Sequence, residues 1–188
     1  MPIDKYKYVT TIIKTNPGEI FDVLGSILTT IKYRYLKRCI GRGVIVRKNT
    51  EIINYANVKI GDGSILQDHV YIRAGANGKV ILERGCMVNS FCRFFGHGGI
   101  QIGEYSQIGP GVTITTTDHD YLKNDMAESF HKVTIGKKVW IGANVTVLSG
   151  VTIGDNTVVG AGSVVTKDIP ENSLAVGVPA KVVKIIGG

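Results

Sequence analysis

The chain has 188 residues, 44% of them hydrophobic and 20% charged, and a formal net charge of +7. That length fits one domain with a substantial core, and glycine at 24 with proline at only 5 excludes collagen and a disordered linker. Three cysteines without paired spacing, Cys39, Cys86 and Cys92, exclude a disulfide framework and fit a reducing compartment; with no signal-peptide pattern and no apolar run of about eighteen residues, the cytoplasm is the expected location.

The first expected element is a helix within residues 17–40. Asn16, Pro17 and Glu19 read as an N-cap, a first-turn proline and an acidic third position. Ile20, Val23, Leu24, Ile27, Leu28, Ile31 and Leu36 then recur at helical spacing, which predicts an amphipathic helix packed on the rest of the chain. Lys32, Arg34, Lys37, Arg38, Arg42, Arg47 and Lys48 crowd the same region. Such a surface attracts anionic partners: nucleic acid, acidic lipid or a phosphorylated cofactor. A merely solvated basic face satisfies the pattern equally. Peripheral association with an anionic membrane is the second reading of the segment, and no nucleic-acid partner is expected.

From Ile135 the chain divides into sixes: IGKKVW, IGANVT, VLSGVT, IGDNTV, VGAGSV, VTKDIP. The first position is always aliphatic, at Ile135, Ile141, Val147, Ile153, Val159 and Val165. The same phase runs upstream from Ile102, Ile108 and Ile114, with weaker copies at Ile60, Leu66, Leu82 and Val88. A period of six suits neither an amphipathic helix nor a simple alternating strand. It suits a short strand and a tight turn, repeated, so that three strands close a triangular coil and each coil buries its face against the next. Ile135 should stack on Ile153, and Ile141 on Val159. Glycine and asparagine at the turns supply left-handed backbone at low steric cost.

The register breaks between Ile114 and Ile135, where 21 residues stand in place of 6. The insertion carries His119, Asp120, Tyr121, Lys123, Asp125, Glu128 and His131, and a polar loop thrown from a rigid solenoid is commonly functional. Smaller insertions fall at residues 75–79 and 96–99. The expected organisation is a helical segment, residues 1–43; a repeat domain, 44–170, with its inserted loop at 118–134; and a C-terminal tail, 171–188.

Residues 81–186, most densely VWIGANV, GAGSVVTKDIP and GVPAKVV, resemble the galactoside, maltose and polysaccharide O-acetyltransferases of the hexapeptide-repeat family. The resemblance implies a left-handed parallel β-helix, acetyl-CoA as co-substrate, and a homotrimer with active sites at the subunit interfaces. It also implies that His119, in TTTDHDY, is the catalytic base. A sugar hydroxyl attacks a thioester slowly until its proton is removed, and a neutral imidazole can take that proton and later return it to the thiolate.

The same resemblance places Asn89 and His97 at the acceptor, although a turn-forming asparagine and an exposed turn histidine fit those positions too. It places Ala143, Ala161, Thr166, Lys167, Lys181 and Lys184 along the coenzyme: small residues beside the pantetheine arm, lysines at the phosphates. Some relatives carry serine where Ala143 stands, so only a backbone N–H is left there to stabilise an oxyanion. Trp140 lies near this groove in relatives, and a corner anchor is its alternative reading. His131 is read as peripheral and His69 as structural.

The expected reaction is acetyl transfer to a sugar hydroxyl in surface-polysaccharide synthesis. An amine acceptor, on an amino sugar or a xenobiotic, is the alternative. A γ-class carbonic anhydrase shares the solenoid but needs three zinc-binding histidines, and the close histidine pair of that class is missing.

Overall fold

Each hexad contributes one short strand, and strands of equal phase stack into three flat faces. The computed structural model describes residues 20–36, 39–120 and 126–186; Asn16, Pro17, Glu19, Lys37, Arg38, Tyr121, Lys123 and Asp125 lie outside the described residues. Strands are numbered in chain order. The first face holds β1 (Ile45–Val46), β4 (Ile65–Leu66), β7 (Met87–Val88), β10 (Gln107–Ile108), β15 (Trp140–Ile141) and β18 (Val158–Val159), and ends in β20 (Ser173–Val176) and β21 (Lys181–Ile185). The second holds β2 (Glu51–Ile53), β5 (Tyr71–Ala74), β8 (Arg93–Gly96), β11 (Thr113–Thr115), β16 (Thr146–Val147) and β19 (Val164–Val165). The third holds β3 (Val58–Ile60), β6 (Val80–Leu82), β9 (Ile100–Ile102), β14 (Val133–Ile135) and β17 (Thr152–Ile153). The result is a β-solenoid of about 6 turns.

Ile135 pairs with Ile153, and Ile141 with Val159, as the hexad register requires. Early coils are longer: Ile45 pairs with Ile65 and Ile65 with Met87. The first hexad positions, such as Leu66, Ile102, Ile114 and Ile141, are fully buried in one continuous core. The third position after most of them turns a corner with positive φ. Asn49, Asn144 and Asn156 do so as expected, but His69 (59°), Phe91 (63°), Tyr105 (60°) and Lys138 (53°) do so as well. That conformation costs an ordinary side chain about 1–2 kcal/mol, and stacking offsets part of it. The Phe91 ring lies flat on His69 at 4.9 Å, and the Tyr105 ring occupies the space a Cβ would need at Gly85.

The two ends are covered differently. Helix α1 (Ile20–Ile31) and a π-helical turn (Lys32–Leu36) precede the first coil. The Thr30 hydroxyl accepts the Val46 N–H at 2.8 Å, and the Tyr33 hydroxyl accepts the Ile52 N–H at 3.0 Å while donating to the Thr50 carbonyl. These bonds satisfy edge groups that β1 and β2 would otherwise expose. The helix therefore packs on the solenoid, as expected, but through Val23, Ser26, Thr30 and Tyr33. Most of its apolar stripe, Leu24, Ile27, Leu28 and Ile31, faces outward. At the other end, residues beyond 171 lay β20 parallel on β18 and fold β21 back antiparallel on β20.

Tyr33 is 2% exposed, so Tyr33→Phe strands a buried N–H and carbonyl; a loss of about 1–3 kcal/mol is expected from urea unfolding.

Candidate active site

The solenoid releases the inserted segment at one buried residue. Thr116 is wholly buried; its hydroxyl donates to the Phe95 carbonyl and accepts the Gly98 N–H, both at 2.8 Å. Beyond it the chain leaves as an antiparallel hairpin of β12 (Thr117–His119) and β13 (Glu128–Phe130) and returns through a bond from the His131 N–H to the Thr116 carbonyl. The expected loop is thus an ordered ribbon at its base, with His119 directly opposite Glu128.

That ribbon decides the tautomer of the neutral His119 ring. Its Nδ1 lies 3.1 Å from the Met126 carbonyl oxygen, an acceptor only, so Nδ1 carries the hydrogen and Nε2 keeps the lone pair. Met126 holds that carbonyl in place from a positive φ of 48°, local backbone strain of the kind found at functional sites. The Glu128 carboxylate stands 4.0 Å from Nε2 and can pair with the ring once it is protonated. The His119 side chain is 48% exposed, open to a substrate. The arrangement can remove a proton, hold it and give it back.

His97 reaches the same ribbon. Its Nδ1 is 3.4 Å from the Thr117 hydroxyl and its ring 5.9 Å from Phe130. With Gly75, Ala76, Asn77, Gly78, Gly98 and Phe130 it lines a cleft of about 440 Å³. A Cβ at Gly78 would collide with the His97 carbonyl, so glycine is what lets the two insertions close on each other. Thr117 and His119 lie two apart on one strand and share a side of it, which links the cleft to the base.

The other expected site residues divide between two edges of the second face. Asn89, Ala143 and Ala161 follow β7, β15 and β18, at the edge shared with the first face. Asn89 takes the Ser90 N–H on its own Oδ1 at 3.1 Å. Ala143 accepts the Gly162 N–H at 2.8 Å, and a Cβ at Gly142 would lie 2.5 Å from the Ala161 nitrogen. Among the described residues the Ala143 and Ala161 N–H groups bond no backbone carbonyl, so this tight stack offers two donors to an amide-bearing ligand. Thr166 and Lys167 follow β19, at the opposite edge with His97 and His119. Lys181 and Lys184 lie exposed on β21, a set of cations suited to phosphates. Trp140 is 58% exposed on the first face and anchors no corner. His131 only closes the ribbon through its backbone, and His69 stacks on Phe91 and contacts Asn49.

The Met126 carbonyl and Thr117 are contacts that hexad counting does not reveal. Among the described residues no group of three or more His, Cys, Asp or Glu is placed to hold a metal. Burial pushes the thiols of Cys86 and Cys92 up to about 12 and about 11, so neither is a nucleophile at neutral pH.

A triangular solenoid with an ordered histidine ribbon defines a hexapeptide-repeat transferase, and comparison with known proteins agrees. The family described as "Bacterial transferase hexapeptide (six repeats)" matches residues 132–167, which makes the solenoid a left-handed parallel β-helix. The chain is 38% identical to the galactoside O-acetyltransferase of Escherichia coli K12 over 145 residues, 75% of this chain and 70% of that one. It is 37% identical to the Lactococcus lactis galactoside O-acetyltransferase over 135 residues, 70% of this chain and 65% of that one. Among solved structures it superimposes on AntD, an N-acyltransferase from Bacillus cereus in complex with dTDP and 3-hydroxybutyryl-CoA, with a TM-score of 0.74 at 20% identity, covering 84% of this chain and 88% of that one. A hexapeptide-repeat acetyltransferase from Vibrio cholerae complexed with acetyl coenzyme A gives 0.63 at 23% identity, over 85% and 79% of the two chains. This chain belongs to the hexapeptide-repeat acetyltransferases, in their galactoside O-acetyltransferase-like branch.

Cys39, Cys86 and Cys92 are all buried. A disulfide-exchange thiol reagent at neutral pH should therefore label Cys86 and Cys92 slowly in the native protein and at once on denaturation; rapid native labelling of either would contradict the raised values.

Proposed function

We propose that this acetyltransferase moves the acetyl group of acetyl-CoA to a sugar hydroxyl, with His119 as general base. The observation that carries the reading is the Met126 carbonyl on Nδ1, which leaves Nε2 as the proton acceptor. Nε2 takes the hydroxyl proton as the sugar oxygen attacks the thioester carbon. The tetrahedral intermediate collapses with cleavage of the C–S bond, and the imidazolium returns the proton to the departing thiolate. Glu128 steadies the imidazolium between those steps. The Ala143 N–H is the donor at hand for the oxyanion. The Ala161 N–H suits a pantetheine amide beside the small Ala143 side chain; Thr166, Lys167, Lys181 and Lys184 suit the remainder of the coenzyme. Asn89 and His97 orient the acceptor, a saccharide of surface-polysaccharide assembly, in the cytoplasm.

One copy of the chain separates Asn89, Ala143 and Ala161 from His119 by the width of the second face, on the order of 15–20 Å for a hexad of extended chain. A neighbour that brings its first edge to this copy's second edge completes the site, and three copies close the ring. Matching the coils at equal height makes the solenoid axes parallel.

Thiol release from acetyl-CoA with a panel of sugars and amines tests the reaction. Release with sugars is expected, and transfer only to amines would overturn the hydroxyl acceptor. His119→Ala should lower kcat by about 10²-fold while coenzyme binding changes little; an unchanged kcat removes His119 from the role. Glu128→Gln should lower kcat by only about two- to fivefold, since the pair is solvent-exposed. Sedimentation should report a trimer, and an active monomer would refute the shared site.

A further inference from the structure

Helix α1 presents two unlike sides. Val23 and Ser26 turn inward, whereas Leu24, Ile27, Leu28 and Ile31 stand 44–67% exposed. Their spacing of i, i+3, i+4 and i+7 makes one continuous aliphatic stripe, and contiguous exposed apolar surface of this kind marks a contact site. Because α1 lies across the end of the solenoid, the stripe faces away from the coils.

Charge is polarised along the same axis. Residues 20–82, the helix and first two coils, carry ten Lys and Arg against four Asp and Glu, while residues 83–188 carry nine of each. The helix end therefore holds +6 of the net +7. Arg42 and Arg47 lean on Asp62 and Asp68 at 3.5 Å, and those carboxylates are already in the count. Lys32, directly after the stripe, is exposed.

We propose that this end of the molecule is a membrane-docking surface whose partner is an anionic lipid bilayer. The Leu24–Ile31 stripe enters the boundary between headgroups and acyl chains, and the surrounding cations meet lipid phosphates; an interfacial helix needs both features. A second copy docked on the stripe would bring two strongly cationic ends together, so charge opposes that occupant. At 12 residues α1 is too short to cross a bilayer, and no described helix is long and apolar enough to do so. The docking is peripheral.

The height of the candidate site fits this partner. Coils stack about 4.8 Å apart and His119 leaves the fourth, so it stands about 15 Å above the first coil. Lys167, Lys181 and Lys184 lie at the opposite end. The bilayer side thus delivers an acceptor, the saccharide head of a lipid-linked molecule, and the aqueous side delivers the coenzyme. This acceptor class rests on the reaction proposed above; the docking does not.

Co-sedimentation of the full chain with vesicles of phosphatidylcholine alone, and of phosphatidylcholine mixed with phosphatidylglycerol, tests the docking. Binding to the mixed vesicles only is expected, weakened at least about tenfold by Leu28→Asp or Lys32→Glu and reduced by added salt. Both side chains are exposed, so neither variant should change Tm or turnover of a soluble sugar. No binding, or equal binding to both vesicle types, overturns the proposal. So does a lowered oligomer mass in Leu28→Asp, which assigns the stripe to a second copy, or a lowered Tm, which assigns it to residues 1–19. Turnover of a soluble sugar without vesicle binding would sink this inference and leave the proposed reaction standing.

Discussion

The aliphatic side chain at the first position of each hexad can leave water only by stacking on the coils above and below it. Ile135 on Ile153 and Ile141 on Val159 are the plainest instances. Parallel backbone pairing is the consequence, because strands that repeat in phase along one chain direction have no other way to satisfy their ladders. Sharp corners are another. A triangular coil must turn three corners, so the chain accepts positive φ even at Phe91 and Tyr105, and the Phe91 ring recovers part of the cost by stacking on His69.

An insertion into such a stack can leave only where pairing is already interrupted, at a corner. Thr116 marks that exit, with its hydroxyl holding Phe95 and Gly98. The His119 ribbon is therefore rooted at a buried, hydrogen-bonded corner of the solenoid. That is the right mechanical combination for a base: Met126 sets the tautomer by a single backbone acceptor, and Glu128 waits opposite for the charged form.

The molecule also has a direction. Its helix end is cationic and apolar on the outside, and its remaining coils are electrically balanced. One feature is a surface charge distribution and the other an exposed helix face, and among the described residues neither is needed to close the solenoid. The Thr30 and Tyr33 hydroxyls already do that by capping β1 and β2. Among the described residues the outward stripe takes no part in that closure.

Much of this was legible in the residue order. The six-residue period determined the strands, their faces and the buried position of each hexad, because periodic burial is a one-dimensional property. The break after Ile114 located the inserted segment, and resemblance in the last third of the chain pointed to the transferase family. Contacts that follow no repeat were not legible, since they depend on how segments outside the hexad register fold back. The ribbon pairing His119 with Glu128, the Met126 carbonyl on its ring and the cleft shared by His97 and Gly78 are of that kind. So is the outward turn of Leu24, Ile27, Leu28 and Ile31. Helical spacing says that a stripe exists, but only the seat of the helix, set by Val23, Thr30 and Tyr33 against the first coil, decides which way it faces.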